Sequence, residues 1–218
     1  MTLKTLEVAG QFEADYMVLH MGSAPMSSKK WTKRLTAMVE NEEDKANEKK
    51  YNKLKEKFIK KRAKIGKLYY SRAIEALEQI SEKAKEVGVV LAVESRSRYE
   101  DMPTETEMIA LQEHFKDDPS VGYWHDFGHV QLKHNIHLLE HEEWLAKMEP
   151  HLVGCHVHDV YWPKRDHRVP LTGELDFKSL LKYVDPKLPL TWELSPTRDK
   201  GEILEAKKVW ELAFPETV

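Results

Sequence analysis

The chain has 218 residues, 41% of them hydrophobic and 33% charged, which is enough to bury the core of one domain beneath a heavily charged exterior. A net charge of −3 argues against a general nucleic-acid binder. The charge is uneven, with 16 Lys/Arg against 6 Asp/Glu between Lys29 and Arg72, but no aromatics interleave to stack on bases, so that run reads as a solvated helix face. No apolar run approaches the ~20 residues of a membrane span. The opening MTLKTLEVAG lacks a secretory pattern, and the single Cys155 can close no internal disulfide and reads as a buried thiol. A cytoplasmic location is expected.

Thr2–Phe12 carries a short helical pattern (Leu3, Leu6, Ala9) and runs into a strand, Ala14–Leu19, that ends in His20-Met21-Gly22. Ser23–Asp44 reads as an irregular polar connection. Lys45–Val87 gives the longest helical pattern, with Tyr51, Leu54, Phe58, Ile65, Tyr69, Ala73, Leu77, Ile80 and Ala84 near a 3.6 period and Gly88 as its C-cap. Val89–Ser95 is a β-branched strand with Glu94 at its end, where a carboxylate is costly to bury unless paired or metal-bound. Thr104 with Glu107 forms a capping box opening a helix through Phe115. Ser120–Val130 holds a short strand ending in Asp126, with His129 three residues on, and a helix is expected over Asn135–Met148.

The stretch His151–Val160 (HLVGCHVHDV) alternates faces: Gly154, His156 and His158 point one way, Val153, Cys155 and Val157 the other. Apolar faces of this kind belong to parallel sheets covered by helices, whose chemistry gathers at the carboxyl ends of the strands. Asp166 and His167 lie in a loop that returns through a very short strand near Arg168–Leu171. Asp176 caps a helix carrying Phe177, Leu180, Leu181 and Val184. Leu190–Leu194 is a strand with Glu193 near its end, and Asp199 with Glu202 starts a last helix, Ile203–Phe214. There is no Gly-rich dinucleotide fingerprint, phosphate loop or Gly-x-Ser-x-Gly elbow.

The repeated alternation of strand and helix implies a parallel sheet with right-handed crossovers. Four successive long strands end in Glu94, Asp126, His156 and Glu193. Each alone fits a salt bridge. Together, three carboxylates and one imidazole suit an octahedral divalent ion such as Mn²⁺, Mg²⁺ or Co²⁺, with Zn²⁺ also open.

His20-Met21-Gly22, Glu94, Asp126-Phe-Gly-His129, His156-Val-His-Asp159, Asp166-His167 followed by Thr-Gly-Glu-Leu-Asp-Phe, and Glu193, in this order, resemble the xylose isomerase-like TIM barrels, a superfamily of sugar and sugar-phosphate isomerases and epimerases that includes endonuclease IV. The resemblance covers nearly the whole chain. It implies that Glu94, Asp126, His156 and Glu193 hold one divalent metal. The ion would polarise a ketose or ketose-phosphate carbonyl and stabilise an enediolate, while Glu94 and Glu193 act as the acid/base pair. His129 resembles a contact to a substrate hydroxyl. His20, Asp166 and His167 are further substrate-side candidates, and His158 and Arg96 are placed against distal hydroxyls or a phosphate. Two other readings stay open: an endonuclease IV-like zinc phosphodiesterase and a non-catalytic metal-binding relative. In the phosphodiesterase family one residue separates the loop Asp from its His, whereas here Asp166 and His167 are adjacent. The expected fold is one domain over residues 1–218, an incomplete TIM-barrel-type (β/α) sheet of about six strands lacking the first two of eight. A homo-oligomer would cover its open edges.

Overall fold

The computed structural model describes residues 2–26, 30–41 and 45–217. The chain divides within its third strand into two compact units, one up to Tyr123 and one from Trp124 onward.

In the first unit, α1 (Thr2–Gln11) leads into β1 (Tyr16–Leu19), and β1 pairs in parallel with β2 (Val90–Glu94) in the register Tyr16↔Val90 to Leu19↔Val93. From Leu91 to Glu94 every residue of β2 is buried on whichever face it points to, as a parallel strand covered on both sides requires. Between the two strands run α2 (Lys30–Glu40) and α3 (Lys45–Val87). The long helical pattern is thus one continuous helix of 43 residues, closed by Gly88 at a φ of 72°, a left-handed turn that suits glycine. Tyr51, Phe58, Leu77 and Ala84 form its buried stripe.

The segment Ser23–Asp44, read as irregular, contains a helix instead. Trp31, Leu35 and Val39 of α2 are buried at i, i+4 and i+8, with Trp31 stacked on Phe58 of α3 at 5.5 Å. The charged residues between these positions mask a short apolar stripe that only packing on α3 stabilises. Residues 27–29 and 42–44 of that segment lie outside the described residues. Thr104 and Glu107 make the capping box that opens α4 (Glu105–His114). Glu107 also receives both nitrogens of the buried Arg62 fork, at 2.9 and 2.8 Å, so the cap carries a charge-assisted pair as well.

β3 (Val121–Asp126) reaches the second unit, which continues with α5 (Phe127–Asn135), α6 (His141–Met148) and β4 (Leu152–Val157). Of the helix expected over Asn135–Met148 only α6 forms, and residues 136–140 before it are not helical. α5 is an additional helix that begins inside the stretch Ser120–Val130 read as strand. α5 starts immediately after β3 because Asp126 caps it, accepting the His129 amide at 2.7 Å, and it ends where His137 takes a left-handed φ of 50°. β5 (Asp159–Tyr161) and β6 (Arg165–Arg168) form a separate antiparallel hairpin. The short returning strand expected near Arg168–Leu171 is therefore β6, and it lies outside the main sheet. After Asp176 comes a single turn, α7 (Phe177–Leu180), then a 3-10 turn over Leu181–Tyr183, where a longer helix to Val184 was expected. β7 (Leu190–Trp192) pairs in parallel with β4 in the register Cys155↔Leu190 to Val157↔Trp192. α8 (Lys200–Ala213) follows, capped by Asp199. Strand order in the parallel sheet is β1-β2-β3-β4-β7, an incomplete TIM-barrel-type sheet. Among the described residues no helix is long and apolar enough to cross a membrane.

Candidate metal centre

In the second unit the ends of β3, β4 and β7 bring Asp126, His156 and Glu193 together. Their ligand atoms lie within 4.8 Å of one another. His156 Nδ1 is 3.2 Å from Glu193 Oε2 and 3.7 Å from Asp126 Oδ2. Asp126 is fully buried and its two oxygens are differently employed. Oδ1 accepts the His129 amide and lies 3.0 Å from His158 Nε2, whereas Oδ2 faces His129 Nδ1 at 3.3 Å. Burial alone would raise this carboxyl, but the imidazoles of His129 and His158 and hydrogen bonds from His156 and His158 hold it well below its usual range.

His158 is also completely buried. Its Nδ1 accepts the His167 amide at 2.9 Å, which turns the Nε2 edge of the ring toward Asp126. The residue expected to meet distal hydroxyls is thus committed at both ring nitrogens to the frame of the site. Gly128 makes room for it: a Cβ there would stand 1.9 Å from His158 Cε1.

The β5–β6 hairpin delivers Asp166 and His167. The His167 ring stacks on His158 at 4.3 Å and 9°, and its backbone takes a left-handed φ of 53°. That conformation is held by its own amide on His158 and by the Ser195 amide on its carbonyl at 3.1 Å. Hydrogen bonds to Asp166 and Glu193 push the His167 imidazole up to about 10. The same contact from His167 holds Glu193 below the ordinary glutamate range, against the opposing effect of burial. His129, His158 and His167 form a second group of ligand atoms within the same 4.8 Å limit.

Reasoning from sequence placed Asp159 at the strand end without a role. It is buried with its carboxylate turned onto the backbone: Oδ1 accepts the Val160 and Leu175 amides at 2.8 and 3.1 Å, and Oδ2 the Gly173 amide at 2.8 Å. The clamp ties the segment after the hairpin to β5. The Thr-Gly pair downstream, marking a tight turn, was the available signal.

The first unit holds Glu94, Arg96 and His20. Glu94 ends β2 with its side chain almost wholly buried. One oxygen is hydrogen-bonded to His20 Nε2 and lies 3.6 Å from Arg96 Nη1. Arg96 is therefore engaged with Glu94, while the His20 side chain keeps 54% of its surface exposed.

Two carboxylates and an imidazole at this spacing, one of the carboxylates fully buried, fit a divalent cation better than they fit one another without it. The second histidine group fits less well, since His158 Nδ1 already accepts the His167 amide and its Nε2 faces Asp126.

No curated protein matches the chain. Solved structures do, at low identity. A D-tagatose 3-epimerase-like protein aligns with TM-score 0.66 and 14% identity over 99% of this chain and 67% of its own. A D-allulose 3-epimerase from Methylomonas sp. aligns with TM-score 0.57 and 14% identity over 96% and 60%. An IolI protein with a binding zinc atom aligns with TM-score 0.62 and 15% identity over 99% and 67%. The chain thus spans about two thirds of the length of these structures. The family pattern described as xylose isomerase-like TIM barrel matches residues 2–187, and with the sheet and strand-end residues above in place, the chain belongs to that family.

Proposed function

We propose that the chain is a divalent-metal-dependent isomerase or epimerase of a sugar or sugar phosphate. The observation that supports this best is the convergence of Asp126, His156 and Glu193 around the fully buried Asp126 carboxylate. Glu94, the matching strand-end carboxylate in the sequence pattern, is assigned as the fourth ligand. A divalent ion held by these residues supplies Lewis-acid polarisation of the substrate carbonyl. The side chains do the proton work. Glu193, with 43% of its side chain exposed and kept ionised by His167, takes the proton from the carbon beside the carbonyl. The C–H electron pair moves to give an enediolate, and Glu94 returns a proton to the opposite face. His129 is assigned to a substrate hydroxyl, with Asp166 and His167 as further substrate-side groups of the second unit. His20 and Arg96 are candidates carried by the sequence pattern alone, and His158 holds Asp126 and the hairpin in place.

Glu193→Gln tests this, with metal content and turnover on a sugar and sugar-phosphate panel as readouts. The variant is expected to lose metal or epimerisation with an unchanged circular dichroism spectrum; unchanged metal and activity would remove the assigned role. The second histidine group keeps a zinc phosphodiesterase reading in view. Elemental analysis separates the two, one ion per chain supporting the isomerase and three supporting the phosphodiesterase.

A further inference from the structure

The net charge of −3 conceals a segregation within the first unit. Between Lys49 and Lys67, α3 carries ten Lys/Arg against the single Glu56, a net +9 that leaves −12 on the rest of the chain. Six of these, Lys50, Lys53, Lys57, Lys60, Lys64 and Lys67, are exposed and fall at alternating steps of three and four. On a helix that spacing makes one straight row, with about 5 Å between neighbours and about 26 Å from end to end at 1.5 Å per residue. The opposite side of the same segment is buried through Tyr51, Phe58 and Arg62, so the row faces outward. Among the described residues none of the six makes an ion pair, unlike Lys83 and Lys85 further along the helix, which pair with Glu86 and Glu82. The neighbouring α2 extends the positive surface: Arg34 and Lys61 both lie over the Trp31 ring, at 5.8 and 5.4 Å.

Six like charges in a row repel one another, by a few tenths of a kcal/mol for each i,i+4 neighbour, and among the described residues no ion pair to any of the six offsets this. The arrangement gains free energy only when a linear polyanion releases its counterions onto it. Two polyanionic surfaces compete. A membrane-seated helix would present apolar side chains beside its lysines, but no large hydrophobic residue is exposed between Lys49 and Lys67; the first is Leu68. Single-stranded nucleic acid would want stacking platforms, and the aromatics here, Tyr51 and Phe58, are buried. A helix about 10–12 Å across matches the ~12 Å major groove of duplex DNA, with phosphates along both walls, and not the narrow groove of A-form RNA.

We propose that the lysine row of α3 is a sequence-independent docking surface for the phosphate backbone of duplex DNA. It does not rest on the reaction assigned above, and it is independent of the metal centre's ligands.

The test uses the full chain and a fluorescein-labelled 20-base-pair duplex of arbitrary sequence, with anisotropy read between 50 and 200 mM NaCl. With six lysines on phosphates, the slope of log K against log salt is expected near about −5, a loss of about 10³-fold in affinity across that range. Lys53→Gln, Lys57→Gln and Lys60→Gln combined should flatten the slope by about 3 and weaken binding at 50 mM by about 10³-fold. The corresponding Lys→Arg triple, which keeps the charge, should bind as wild type does. A triple Gln variant that binds as tightly as wild type, or no DNA binding at 50 mM NaCl, overturns the proposal. So does tighter binding to duplex RNA, or to vesicles of phosphatidylcholine and phosphatidylglycerol, than to DNA.

Discussion

Gly128→Ala exchanges a glycine near the start of α5 for a better helix former, which by propensity alone would stabilise the helix by up to about 1 kcal/mol. The site predicts the opposite sign. The new Cβ would lie 1.9 Å from Cε1, 2.2 Å from Nδ1 and 2.9 Å from Nε2 of His158, a rigid, fully buried ring with no room to step aside. Moving it strains the packing, at about 1–3 kcal/mol, and pulls Nε2 from Asp126 Oδ1 and Nδ1 from the His167 amide. A hydrogen bond to a charged group is worth about 1.5–3 kcal/mol. Offset by the propensity gain, the net is a destabilisation of about 2–4 kcal/mol, measured as the shift in urea midpoint followed by circular dichroism. His158→Ala in the same background should recover part of the loss, because the clash and the ring disappear together, so the two changes should couple by more than ~0.5 kcal/mol. A Gly128→Ala protein as stable as wild type, or losses that simply add, would mean that Gly128 does not make room for the His158 ring.

Asp159→Ala should cost about 3 kcal/mol or more by leaving three amides without their acceptor, and hydrogen exchange should quicken at Val160, Gly173 and Leu175; unchanged protection there would dismiss the clamp. Asp126→Asn should lower metal affinity by at least ~10-fold in isothermal titration, the scale of loss seen when even supporting groups are removed; undiminished affinity would count against Asp126 as a ligand. Stability of the metal-free protein should fall on acidification from about pH 6.5 toward 3. His125 is pushed down to about 3, and His141 also well below its ordinary value, chiefly by burial. The unfolded chain therefore binds more protons across that window. The loss amounts to several kcal/mol when complete, because each tenfold difference in proton affinity between the folded and unfolded chain is worth roughly 1.4 kcal/mol. His167 acts in the other direction. Raised to about 10, it contributes stability that is fully present below about 6.5 and lost as pH rises toward 10. Urea midpoints across pH 4–9 should show a maximum near neutrality, and the pair His125→Phe with His141→Phe should flatten its acid side.

Elements announced by a long apolar period or by a local cap were legible in the sequence. α3 needs only its stripe and Gly88, α4 its Thr104–Glu107 box, and β2 its β-branched run, and each falls within a residue or two of its expected bounds. The misread elements are those stabilised by something distant in sequence. α2 buries only three apolar residues, Trp31, Leu35 and Val39, and is stabilised by packing on α3. α5 follows β3 directly with only the Asp126 cap to announce it, and the turn at His137 delays the next helix to His141 with no Gly or Pro to mark it. The short return strand pairs with β5 instead of the sheet, because only three residues separate β5 from β6 and a tight antiparallel hairpin closes more cheaply than a crossover. Strand ends were legible for the same reason as strands: alternation tells which residue comes last and on which face it stands.

What alternation does not convey is how many partners one carboxylate has. Asp126 was legible as a strand-end ligand, but in the structure it is also the helix cap of α5 and the acceptor for His158. These three tasks are compatible because the cap and the His158 contact share one oxygen and leave the other for the ligand role. Oδ1 is filled by the His129 amide and His158 Nε2, leaving Oδ2 turned toward His156 and His129. A cap fixes the carboxylate's rotamer with a local hydrogen bond, so the second oxygen is aimed before any ligand arrives and little entropy is lost when it binds. The Asp-Phe-Gly-His spacing is the sequence form of that arrangement. Asp must end the strand to reach the site, the third residue after it must offer its amide to Oδ1, and the intervening Gly128 must lack a Cβ so that His158 can occupy the remaining place on Oδ1. The motif is therefore a device for delivering one preoriented carboxylate oxygen, and the imidazoles around it are chiefly its supports.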